Sequence, residues 1–170
     1  MTDKDSLASV YNYDSKKYLI FAYAKAGEGL WAILDEPITV LDVHSTDEEI
    51  GDNIFKILEY SSNCTANGQR GLPAITAWEI EIGKRGWPQF IMKSQAVRIA
   101  FSAREKRFWF NRYYGGSKGL LVSVSDIMKS KVVTERKDDE IYGSLPGSAA
   151  SEEMGSTVRK MTAFRQDALL

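Results

Sequence analysis

The chain has 170 residues, 44% apolar and 26% charged, enough to bury one core and too few for two. Lys and Arg number 22 against 23 Asp and Glu, a formal charge of -1, so no global field draws the molecule to nucleic acid or to an anionic membrane. A single cysteine, Cys64, and a single histidine, His44, exclude a disulfide framework and a zinc site of the usual ligand set.

No run of about 18 apolar residues occurs, and no apolar stretch follows the first charges, so a soluble, cytoplasmic protein without a membrane span is expected. The whole chain, 1–170, reads as one domain whose ends, 1–10 and 165–170, fray.

The first predicted element is a strand over residues 17–24, aromatic and β-branched, with a partner strand at 30–34 across the Gly-containing turn 26–29. Residues 38–43 form a third strand behind Pro37, which sits at its start where no ladder N–H is needed. The clearest element is a helix. Thr46 and Glu49 have capping-box spacing, Asp47 and Glu48 complement the positive N-terminus, and Ile50, Ile54, Ile57 and Leu58 make one apolar stripe to about Ser62.

A polar loop over 63–71 leads to a helix over 73–82 that opens on Pro73. After Trp87 and Pro88 comes a short helix or an irregular stretch. Residues 95–101 alternate as a strand, 103–106 turn, and 107–114 form an aromatic strand that turns at 115–119 into another over 120–124. A short helix over 126–131, a charged connection over 135–140 and a loop over 143–151 follow. Residues 152–164 close the chain as a helix with Met154, Val158 and Met161 on one face.

Residues 17–31 and 107–121 echo one another: cation, aromatic, apolar pair, Tyr, Gly-containing turn, Gly-Leu. Residues 48–57 and 152–161 do the same, each with a Gly after the first apolar residue. A mid-helix Gly costs about 1 kcal/mol of helix propensity, so each is expected to admit another backbone. Two hairpin-then-helix units follow from this, convergence of strands and capped helices on similar patterns being the alternative. Either way the fold class is α+β, an antiparallel sheet of about five to seven strands packed against helices.

Candidate chemistry meets the wrong settings. His44 lacks a motif-flanked nucleophile, so no catalytic residue and no cofactor is assigned. Gly115 to Gly119 lack the phosphate-loop order and join two predicted strands. Glu135 and Lys137 resemble the end of a metal-dependent nuclease site but sit in a charged linker, so no metal is assigned. Arg107, Trp109 and Arg112 interleave cations with aromatics, as single-strand nucleic-acid platforms do, and core packing plus a protein-binding face explains them as well. Two acidic clusters remain: Asp42, Asp47, Glu48 and Asp52, with Glu49 between them, and Asp138, Asp139 and Glu140. A near-neutral protein with acidic patches suits a basic protein partner, and nucleases are commonly basic because they hold phosphates.

At residues 45–51, Ser-Thr-Asp-Glu-Glu-Ile-Gly, and in the helix after them, the sequence resembles the CdiI-type immunity proteins of bacterial contact-dependent growth inhibition systems. That family pairs a strand-rich first half with a helix opening on an acidic-apolar-Gly step and a later aromatic core near a Trp, here Trp78 or Trp87. The resemblance implies a cytoplasmic protein, not an enzyme, that binds and neutralises the C-terminal toxin domain of a delivered effector, often a nuclease, without contacting nucleic acid itself. The acidic residues above are then the candidate toxin-binding set. The alternative is a nucleic-acid-binding or metal-dependent nuclease domain, and an adaptor that pairs through a hairpin edge is a third reading.

Overall fold

A computed structural model describes residues 3–27, 30–65, 77–83, 86, 90, 93–114, 121–123 and 142–163. The strands are β1 Ser6–Tyr13, β2 Lys17–Gly27, β3 Leu30–Asp42, β4 Ser94–Ser102, β5 Arg107–Tyr114, β6 Leu121–Ser123 and β7 Tyr142–Pro146. The helices are α1 Asp47–Asn63, α2 Ala77–Ile82 and α3 Ser151–Met161. All seven strands join one antiparallel sheet in the order β6-β3-β2-β1-β4-β5-β7. The α+β class and the expected strand number are therefore what the chain adopts.

The segment 1–10, expected to fray, supplies most of β1, the central strand, whose eight residues are all buried. Both its faces are covered, so the apolar-polar alternation that marks a half-exposed strand is absent and Ser6, Ser9 and Asn12 stand among apolar neighbours. Ala8 and Val10 face the helices, while Leu7 and Tyr11 face the other way. The Ser61 hydroxyl of α1 accepts the Leu7 N–H at 3.0 Å, tying the start of the strand to the helix above it.

Two hairpins, β2–β3 and β4–β5, flank β1 and do not lie side by side. Residues 30–34 and 38–43, expected as two strands, form one. Phe21 pairs with Ile38 but Tyr23 with Ile33, so the residues around Pro37 bulge out of register opposite Ala22. The Glu36–Pro37 peptide bond is cis. The hairpin expected from β5 into β6 does not form: β5 pairs with β4 and β7, and β6 crosses to β3, Trp31 opposite Val122. With both sides of β5 occupied, a Gly-rich connection cannot return the chain beside it. Residues 143–151, expected as a loop, begin with β7, where Leu145 lies opposite Phe108 and packs against the core. Pairing with the aromatic strand overrides the weak strand preference of Gly143 and Ser144.

The two long helices cover one sheet face. Ile50, Ile54, Ile57 and Leu58 of α1 and Met154, Val158 and Met161 of α3 meet Val10, Tyr18, Ile20, Val97, Ile99, Phe108 and Phe110. Burying each such helix side chain contributes about 2 kcal/mol. The opposite face holds Tyr11, Tyr13, Leu19 and Phe21 around Phe90, whose ring stacks on Tyr13 at 5.5 Å between centroids. The expected helix over 73–82 is described from Ala77 to Ile82 and packs on β3. The elements expected at 115–119, 126–131 and 135–140 lie outside the described residues, as does Trp87.

The paired glycines explain how the helices come together. A Cβ on Gly51 would overlap the Ser151 carbonyl, and one on Gly155 would overlap the Asp47 carbonyl. Each glycine lies four residues after the first residue of its own helix and touches the first residue of the other, so the contact repeats itself with the helices exchanged. The expectation that each Gly admits another backbone is met here. The helix half of the echo has a structural counterpart; the strand half does not.

Candidate functional site

The glycine crossing brings the first turns of α1 and α3 together, and both are acidic. Thr46 caps α1, its hydroxyl accepting the Glu49 N–H at 3.1 Å. At α3 the complementary half of the capping arrangement operates, since Ala150 has no side-chain acceptor and its N–H donates to the Glu153 carboxylate at 3.0 Å. The two crossing first turns thus carry five carboxylates, Asp47, Glu48 and Glu49 on α1 and Glu152 and Glu153 on α3, an acidic rim that complements two helix N-termini.

Within the rim the carboxylates divide by role. Asp47 is half-buried and accepts the Arg159 Nε–H at 2.6 Å. The same guanidinium donates to the Val43 carbonyl at 2.9 Å and to the Ser45 carbonyl, and it lies over the Tyr18 ring at 5.9 Å. The hydrogen bond from Arg159 to Asp47 pushes the Arg159 pKa up, against the opposing effect of burial. Arg159 therefore clamps α3 onto the connection between β3 and α1. Asp52 accepts the Ser151 hydroxyl at 2.5 Å, a second tie between the helices. Asp42 accepts the His44 N–H at 2.8 Å and shapes the turn into α1. Glu48, Glu49, Asp52, Glu152 and Glu153 are all exposed.

Of the expected acidic set, Asp47, Glu48 and Asp52 come together, Asp42 stands at the foot of the same connection, and Asp138, Asp139 and Glu140 lie outside the described residues. Glu152 and Glu153 belong to the rim and were not in the expected set. Their signal was present, because the echo aligns them with Glu48 and Glu49.

The other candidates are dispersed. His44 precedes α1 and Cys64 follows it, so a helix of 17 residues, about 25 Å long, separates them and they form no Cys-His pair. Cys64 instead neighbours Tyr60, whose phenol pKa it pushes up. Among the described residues no three His, Cys, Asp or Glu side chains are grouped to hold a metal ion. Arg107 and Trp109 share one sheet face, the guanidinium 5.9 Å from the ring and donating to the Ser144 hydroxyl at 2.9 Å. Arg112 lies on the opposite face, buried, and donates to Gln95 Oε1 at 3.2 Å and to the Ala163 carbonyl at 3.0 Å beyond the end of α3. The three do not form one nucleic-acid platform. Glu135 and Lys137 lie outside the described residues.

Fold and rim together define an α+β protein in which a seven-stranded antiparallel sheet carries an acid-rimmed helix pair on one face. No protein-family model and no curated protein matches the sequence. Among solved structures, the chain is similar to a Neisseria meningitidis protein of unknown function, with a TM-score of 0.58 and 13% identity over 95% of this chain and 96% of that one. It is also similar to a chain of the CdiA-CT/CdiI toxin and immunity complex from Yersinia pseudotuberculosis, with a TM-score of 0.55 and 13% identity over 92% of this chain and 94% of that one. At such identity the likeness is one of fold. Among the described residues no helix is long and apolar enough to cross a membrane.

Proposed function

We propose that the chain is a toxin-neutralising immunity protein, a cytoplasmic protein that binds the toxin domain of a contact-dependent growth inhibition effector and blocks it without catalysis of its own. The observation that carries this reading is the likeness of fold, over nearly the whole chain, to one chain of a toxin and immunity complex. Of the two partners in such a complex, the toxin must bring its own chemistry. The exposed carboxylates on the first turns of α1 and α3, suited to a basic partner, favour the immunity side.

The rim supplies the recognition chemistry. Glu48, Glu49, Glu152 and Glu153 are exposed carboxylates on a surface held rigid by the glycine crossing, the Arg159 clamp and the Asp52 to Ser151 bond. Such a surface complements a basic protein, and a nuclease domain is basic where it holds phosphates. Complementary charge speeds encounter and fixes register, while packed contacts set the residence time. The nucleic-acid reading is the weaker one because Arg112 lies on the opposite sheet face from Arg107 and Trp109. Mixing the purified chain with the toxin domain encoded beside it, followed by size-exclusion chromatography and titration calorimetry, tests the proposal. A stable complex that weakens as salt rises supports it; two separate species at low salt contradict it.

A further inference from the structure

We draw no further inference here: the strongest candidate, the polar row that Ser9, Arg98 and Asn111 form across the second face of the sheet, carries nothing because nothing among the described residues shows what covers it.

Discussion

Gly51 and Gly155 set two opposing effects against each other. Alanine is favoured over glycine inside a helix by about 1 kcal/mol, yet at either position the new methyl would collide with a backbone carbonyl that has no rotamer to escape into. Overpacking of this kind costs about 1–3 kcal/mol, and a backbone collision belongs at the upper end. Gly51→Ala and Gly155→Ala are therefore each expected to lower the thermal midpoint by several degrees, and a rise in either would show that the helices part freely. Arg159 makes a second test. Arg159→Ala removes three hydrogen bonds and leaves the Val43 and Ser45 carbonyls without their donor, a loss of about 2 kcal/mol in chemical denaturation. A pKa raised in the folded state gives stability that is fully present below the unfolded value and is lost only as pH rises through the folded one. The Arg159 charge consequently stays on from acid to mildly alkaline solution, and the difference between wild type and Arg159→Lys should not vary between pH 6 and 9 through titration of the arginine.

At the scale of the element, β1 and α1 differ most in how far the sequence reveals them. The α1 stripe, its Thr46 cap and its acidic first turn are written in local spacing, and the helix forms within a residue or two of where that spacing puts it. The β1 strand is defined by its neighbours, β2 on one side and β4 on the other, and all eight of its residues are buried. A strand buried on both faces carries no alternation to read, and its Ser and Asn residues mimic a loop. For the same reason the Gly115 to Gly119 segment suggested a hairpin, whereas the pairing of β6 with β3 depends on which edges remain open once the sheet is assembled. The acidic rim was half legible, since helix-capping carboxylates mark each helix start but only the glycine crossing joins the two starts into one surface. Two outcomes check the place of β1. Deleting residues 1–10 should abolish cooperative unfolding. Ser61→Ala, which removes the acceptor of the buried Leu7 N–H, should cost about 1–3 kcal/mol with the fold intact. A cooperative transition in the deletion variant would contradict the central position of the strand.

For the whole molecule, a net charge of -1 hides a local concentration of carboxylates, and the rim is where that concentration would act on a partner. Glu48→Lys combined with Glu152→Lys reverses two exposed charges whose side chains have no part in the interhelical ties formed by Asp52 and Arg159. The pair is expected to lower the thermal midpoint by a few degrees with the fold intact, because each Lys replaces a carboxylate that complements a helix N-terminus, at about 0.5–1 kcal/mol apiece. Association with a basic partner should slow by about tenfold, with a shallower salt dependence. The central claim, neutralisation of a toxin, is tested most directly in cells that express the toxin domain encoded beside this chain. With this chain co-expressed, growth should be restored and the two proteins should purify together. Unabated killing at full expression of a folded chain would contradict the account.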